Sequence, residues 1–368
     1  MTAPARTCLF GAPHRYHQGP GALDLLGQVV APFGPNPLLI ADAFVLTMLG
    51  DRLGAICAAS GLTPILRAFE GEITYPAIDA LIASLNGARP GIAVGIGGGK
   101  SLDAAKAMAL KLGLPVVTVP TIASNDSPTS ASIAMYDDHH TMIAVDRLHR
   151  SPEAVLVDTA LIAKAPLRFL LAGIGDAISK KFEADGCRDG SGLTPFGTRP
   201  TLTAIAITDA CYATLRQYGV AGVAAAARGE VTPDLEAVIE ATLLMSGLGF
   251  ENGGLSLAHS LTRGLVKMRG TRDAIHGDQI AWALLVQLAA EGRTDVFIQD
   301  LLQFYREIGL PTRLAQLGLP DASPAEMAEI ARWTMTAPHL ANLAIPVDAA
   351  AIVAAILRAE ALAARALV

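Results

Sequence analysis

The sequence predicts an α/β domain followed by an all-helical domain. Three observations carry that prediction. Short apolar runs alternate with helical patterns through the first half. A glycine triplet joins one of those runs directly to a helix. Beyond Pro166, long Ala- and Leu-rich stretches take over and few β-branched runs interrupt them. Alternating strand and helix implies βαβ units and a mostly parallel sheet, whereas the later texture fits the helical period throughout.

In chain order, Leu38–Ala41, Ile92–Ile96, Val116–Val119 and Val155–Val157 read as strands. Each is a continuous apolar run, as expected where helices cover both faces of a sheet. Asp79–Leu85 and Leu102–Leu112 supply helical patterns between them. The helical half begins after a boundary near Leu161–Pro166, giving domains at 1–163 and 164–368. Its helices are expected at Leu170–Ala184, Thr201–Tyr218, Leu235–Leu248, Ile280–Ala290 and Ala349–Leu367. No fixed-period repeat or long low-complexity linker occurs, so a ligand is expected in a cleft shared by the two halves.

Composition narrows the function. Of 368 residues, 52% are hydrophobic and 17% charged, which excludes a disordered chain. The 28 Lys and Arg against 34 Asp and Glu leave a net charge of -6, so no basic excess exists to neutralise a nucleic-acid backbone. Mean hydropathy is +0.42. Yet the apolar run Ala349–Leu357 stops between Asp348 and Arg358, short of the ~18 residues a membrane span needs. The N-terminal MTAPARTCLFGAPHRY lacks a signal-peptide core, so a cytoplasmic location is expected. Cys8, Cys57, Cys187 and Cys211 are scattered without a CxxC pair and read as buried, reduced thiols.

The glycine loop is the loudest local signal. Ile92-Ala-Val-Gly-Ile-Gly97-Gly98-Gly99-Lys100-Ser101-Leu-Asp103 runs from a strand into a helix. Backbone N–H groups and a helix N-terminus favour phosphate there. The named motifs do not fit: Val94 stands where a P-loop needs glycine, and Lys100 where the dinucleotide fingerprint needs one. A tight turn alone is the plainer reading, but three glycines exceed its needs. Asp42 ends an earlier strand, either to accept bonds from a ribose or simply to cap the next helix. Pro120-Thr121-Ile-Ala-Ser124-Asn125-Asp126-Ser127-Pro128-Thr129-Ser130 is a run of hydroxyls and amides after another strand, where open α/β sheets bind ligands.

Among eight histidines, His14, His17, His139, His140 and His149 lie in polar stretches expected to face solvent. His259 sits in a helical pattern and His276 opens another, where the helix N-terminus disfavours imidazolium. Asp176 lies inside an apolar helical pattern and needs a cation or hydrogen-bond partner. One Asp and two His would leave coordination positions open for catalysis. Spacing does not unite them, because 83 residues separate Asp176 from His259 and 17 separate the histidines. On spacing, Glu183 and Glu251 are equally reasonable carboxylates, and a lone helical His is more often a core residue.

Taken together, Gly97-Gly-Gly-Lys-Ser-Leu-Asp103, Pro120-Thr-Ile-Ala-Ser124, Val157-Asp-Thr159, Ala172-Gly-Ile-Gly-Asp176, Phe250-Glu-Asn-Gly-Gly254, Ala258-His259 and His276-Gly277 span nearly the whole chain. In them the chain resembles the glycerol dehydrogenase branch of the iron-containing (group III) alcohol dehydrogenase superfamily. The resemblance implies that superfamily's dehydroquinate synthase-like fold, with an N-terminal dinucleotide-binding α/β domain and a helical C-terminal domain. It implies NAD and a divalent metal, usually zinc in this branch, with Fe2+ or another divalent ion as the alternative. By the resemblance, Asp176, His259 and His276 match the metal ligands, and Asp42 matches a residue near the adenine ribose. Gly98, Gly99, Lys100, Ser101 and Asp103 match the pyrophosphate loop. Thr121, Ser124, Ser130, Ser132 and Tyr136 match further cofactor contacts, and Asp126 a carboxylate beside the polyol.

Four departures border the substrate region. Asn125 replaces the usual threonine, and Ser127 stands where alanine is common. Ala-Ile-Ser-Lys-Lys-Phe-Glu after Asp176 is more charged than usual, and the segment after Tyr136 is shortened. The implied reaction interconverts a small 1,2-diol and its hydroxyketone, with no partner macromolecule other than further copies of the chain in a homo-oligomer. Alternatives are a dehydrogenase of 2-hydroxy acids or other alcohols, a dehydroquinate synthase-like lyase, and a catalytically silent nucleotide-binding protein. The lyase would need several Lys or Arg around a phosphate, and few are expected near the metal motifs.

Overall fold

A computed structural model describes residues 7–138 and 142–365. The chain divides into two compact units. The α/β unit comprises residues 11–166 and the strip Ala225–Thr232. The helical unit comprises residues 7–10, Leu167–Ala224 and the chain from Pro233 onward.

The α/β unit is built on strands β1 (Tyr16–Gly19), β2 (Leu38–Ala41), β3 (Ile65–Ala68), β4 (Ala93–Gly97), β5 (Val116–Pro120) and β8 (Ala154–Asp158). They form one parallel sheet in the order β1-β8-β5-β4-β2-β3. Strands β6 (Ser132–Tyr136) and β7 (Met142–Arg147) form a separate antiparallel pair. The four expected strands are those whose two faces are both covered. Leu39, Val94, Val117 and Leu156 pack on one side with Leu49 and Leu53. Leu38, Ile40, Ala93 and Val116 pack on the other with Ile78 and Met108. From β2 the chain steps outward to β3, then returns to place β4 on the other side of β2. The loops leaving β2 and β4 therefore diverge, which opens a crevice at the carboxyl ends of those strands.

Helix Gly99–Leu112 follows β4 directly, and left-handed Gly113 (φ 68°) ends it. Helix Ala43–Ala59 follows β2. In the helical unit, the expected Leu170–Ala184 is two helices, Leu167–Ala177 and Lys180–Asp189. Ser179 Oγ donates to the Asp176 carbonyl (2.8 Å), a local bond that competes with the helical ladder at the break. Thr201–Tyr218 is the start of a longer helix, Leu202–Ala227. Leu235–Leu248 resolves into Pro233–Glu240, a π turn at Ala241–Met245 and Ser246–Gly253. The last two expected helices are His276–Ala290 and Ala349–Arg365. No described helix is long and apolar enough to cross a membrane.

Two expectations about single residues fail. Cys8 is exposed, while Cys57, Cys187 and Cys211 are buried, and all four are free. His14 and His149 face solvent, but His17 is half-buried because its polar strand, β1, pairs along β8. His139 and His140 lie outside the described residues.

Candidate functional site

The helical unit gathers Asp176, His259 and His276. One ligand atom from each lies within 4.8 Å of the other two. Asp176 is near the end of helix Leu167–Ala177, and His259 is in the first turn of helix Leu257–Leu265. His276 is the first residue of helix His276–Ala290. Glycines make this convergence possible. A Cβ on Gly277 would run into the Ala172 carbonyl, and one on Gly175 into the Gly277 carbonyl. Only bare backbones let these two helices meet so closely beside Asp176 and His276. The imidazole rings of His259 and His276 stand 5.5 Å apart between centroids.

Glu183 organises His259 from behind. Its Oε2 lies 2.6 Å from His259 Nδ1 and 2.9 Å from Ser179 Oγ, whose one proton it shares with the Asp176 carbonyl. Its Oε1 accepts from the backbone N–H groups of Ser256 (2.8 Å) and His259 (3.0 Å). Gln287 Oε1 accepts from Ala258 N (2.9 Å), so two buried side chains satisfy the start of helix Leu257–Leu265. A carboxylate on Nδ1 fixes the tautomer and directs Nε2 towards Asp176, whose Oδ1 is 3.4 Å away. Sequence spacing left Glu183 open as a ligand; the structure instead places it against the ring of His259, one of the three converging side chains. The signal was its position seven residues past Asp176, across the helix break. Glu251, the other open carboxylate, is buried on helix Ser246–Gly253 and is outside the triad.

The charge balance is unusual. Lys180, fully buried, donates from Nζ to Asp176 Oδ1 at 2.5 Å and lies 3.3 Å from His259 Nε2. This ammonium comes from the charged run that follows Asp176 in the sequence. Burial pushes the Asp176 carboxyl up, but Lys180 and then His259 outweigh it and hold it well below the ordinary range. Burial likewise opposes ionisation of Glu183, and His259 brings it down to about 2. For His259, burial lowers and Glu183 raises, with a net rise. His276 falls to about 4, chiefly through desolvation of its ring, although much of the residue stays accessible. A neutral imidazole there is a competent ligand. One carboxylate and two imidazoles, converging with Nδ1 of one ring already occupied, fit a divalent metal with open positions.

The α/β unit carries the remaining expected residues. Asp42 Oδ1 accepts from Val45 N (2.8 Å), so it does cap helix Ala43–Ala59. Its Oδ2 faces Gly97, 3.6 Å from where a Cβ would stand. Gly97 has φ 139°, outside the range of other residues. Cβ atoms on Gly98 and Gly99 would press on Ile122 Cδ1 (2.9 Å) and Asn125 Nδ2 (2.8 Å). Gly98 is the N-cap, and no side chain caps the helix start. Such a bare, uncapped N-terminus fits a pyrophosphate. Ser101 is buried beneath the loop, and Thr121 N donates to Gly97 O (3.1 Å). Lys100 is exposed and pairs with Glu72.

Asp103 turns inward. It accepts from Ser127 Oγ (2.5 Å), Lys106 Nζ (3.2 Å) and Ala134 N (3.0 Å). Its carboxylate thus braces the loop after β5 against the glycine helix. Ser124 and Asp126 are half-buried in that loop, and Ser130 is buried at its end. Ser132 and Tyr136 begin and end β6. Ser132 Oγ is buried without a hydrogen-bond partner. Desolvation, with Asp103 and Glu72 nearby, pushes the Tyr136 hydroxyl up to about 12.

Comparison with known proteins agrees with this fold. Residues 13–159 match the family model described as iron-containing alcohol dehydrogenase. A glycerol dehydrogenase of Thermotoga maritima is 39% identical over 87% of this chain and 87% of its own. A glycolaldehyde reductase of Halobacterium salinarum is 35% identical over 88% of this chain and 89% of its own. The crystal structure of a probable glycerol dehydrogenase from Sinorhizobium meliloti superposes with a TM-score of 0.91 at 36% identity, covering 98% of this chain and all of that one. The chain belongs to the iron-containing alcohol dehydrogenase family, in its glycerol dehydrogenase branch.

Proposed function

We propose that the protein is a metal-dependent NAD dehydrogenase that interconverts a small vicinal diol and its hydroxyketone. The observation that carries this reading is the convergence of Asp176, His259 and His276, with Glu183 aiming one imidazole. A divalent metal supplies Lewis-acid polarisation of the substrate oxygen, and NAD supplies the hydride acceptor. The residues of the chain hold these groups and orient the substrate. Asp176 offers an ionised oxygen, and the two histidines offer neutral nitrogens. In the α/β unit, the helix start at Gly98–Ser101 receives the pyrophosphate, while Thr121, Ser124, Ser130, Ser132 and Tyr136 line the remaining cofactor path. Lys100 and Asp103 support that loop through Glu72 and Ser127 respectively.

The same reading divides the work between a dinucleotide half (1–163) and a metal half (164–368). Zinc as the metal, with Fe2+ as the alternative, rests on the resemblance to glycerol dehydrogenases. So does assembly into a homo-oligomer.

NAD is expected over NADP, because Asp42 sets a negative charge at the crevice beside Gly97. Asp42→Gly should relax the preference. The lost helix cap costs only a few tenths of a kcal/mol, since glycine also caps. Comparison of kcat/KM with the two cofactors checks this, and equal wild-type values would refute it.

Asp126 is proposed to orient the substrate by accepting a bond from the hydroxyl next to the reacting carbon. A carboxylate in that role repels a substrate carboxylate, so neutral diols should outperform the matching 2-hydroxy acids. Asp126→Asn should narrow the gap by about 1–3 kcal/mol, the scale of one unmatched polar contact, with metal content unchanged. A wild type that prefers the acid would show that Asn125 and Ser127 mark another substrate class.

A further inference from the structure

Lys180 is the one feature of the metal centre that the dehydrogenase reading does not use. Its ammonium is fully buried and donates to Asp176 Oδ1, the same oxygen that lies 3.4 Å from His259 Nε2. It also stands 3.3 Å from Nε2 itself, the nitrogen that Glu183 leaves facing Asp176. Both ligand atoms are therefore within reach of one fixed positive charge. Lys180 opens helix Lys180–Asp189 immediately after the break at Ser179, so that break directs it onto Asp176. It belongs to the charged run after Asp176 that departs from the usual glycerol dehydrogenase pattern.

We propose that Lys180 is a built-in rival of the metal: it balances the charge of Asp176 while no metal is bound, and must leave Asp176 Oδ1 before a divalent ion can take it. The inference rests on the metal-dependent reading above. A buried carboxylate without a cation is costly, and the ammonium lowers that cost for Asp176 in the metal-free protein. A metal that must displace it gains less on binding than one entering a site with uncompensated anions. The consequence is a fold that does not need its metal, together with a lowered metal affinity.

The test is zinc affinity, measured by competition with a chromophoric chelator on the intact protein. Lys180→Gln and Lys180→Met should bind zinc tighter than the wild type by about 10- to 100-fold, the scale on which neighbours of metal ligands act. Their metal-free forms should melt lower, and zinc should raise their melting temperature more than it raises that of the wild type. A crystal structure of the zinc-loaded wild type should show Nζ withdrawn from Asp176 Oδ1, which tests the idea even if both variants fail to fold. Equal or weaker zinc affinity in the variants would overturn the proposal, as would Nζ still bonded to Oδ1 beside a bound zinc. Zinc binding by neither wild type nor variants would overturn the metal-dependent reading as well.

Discussion

His259→Ala should yield a folded protein that binds NAD, holds no stoichiometric metal and turns over its diol about a thousandfold more slowly. The direction follows from what the imidazole touches. Nδ1 is held by Glu183, and Nε2 faces Asp176, so truncation removes a proposed ligand and leaves Glu183 without its ring partner. The magnitude follows from the several kcal/mol of charge stabilisation a metal gives a developing oxyanion, at about 1.4 kcal/mol per tenfold. Retention of NAD follows from the assignment of the glycine loop to the α/β unit and of the triad to the helical unit. Elemental analysis, dinucleotide titration and steady-state kinetics on one preparation check the three parts. Full metal occupancy in this variant would remove His259 from the ligand set.

Gly277→Ala should damage the same centre without touching a ligand. The added methyl would meet the Ala172 carbonyl, which is backbone and cannot swing aside. Helices Leu167–Ala177 and His276–Ala290 must then separate, at a cost of about 1–3 kcal/mol typical of overpacking. They carry Asp176 and His276, so the ligand atoms part as well. A displacement of about 1 Å can cost on the order of 100-fold in rate. The expected result is a lower melting temperature together with about a hundredfold loss of turnover. Gly292→Ala serves as a comparison for helix-end strain, since Gly292 has φ 71° with no atom near its missing Cβ. It should lose stability and keep its turnover. Unaltered metal affinity and turnover in Gly277→Ala would show that close helix contact does not set the site.

These predictions rest on features that differ in how far the sequence reveals them. Strands β2, β4, β5 and β8 were legible because both their faces are buried, so each reads as an unbroken apolar run. Edge strand β3 was not, since its burial alternates along Ile65–Ala68. Strand β1 was missed for a related reason: Tyr16-His-Gln-Gly19 is polar and only half-buried. The glycine triplet announced the loop by itself, whereas the triad did not announce itself. Asp176, His259 and His276 lie on three different helices, and packing alone brings them together. Only the resemblance carried by the surrounding motifs grouped them in advance. The glycines beside Asp176 and His276 were part of those motifs, but their reason appears only in the helix crossing. Glu183 was visible as a candidate carboxylate, and Lys180 as part of the charged run after Asp176. Their roles depend on the break at Ser179, which the apolar periodicity of Leu170–Ala184 hid.

On the proposed reading, this triad makes the protein a metal-dependent diol dehydrogenase. The most direct measurement follows NADH formation from a vicinal diol by one preparation, first stripped by chelator and then reloaded with zinc, with metal content read in parallel. Turnover should disappear with the metal and return with it. Undiminished NAD reduction by the stripped protein, or none with any small diol at full metal occupancy, would contradict it.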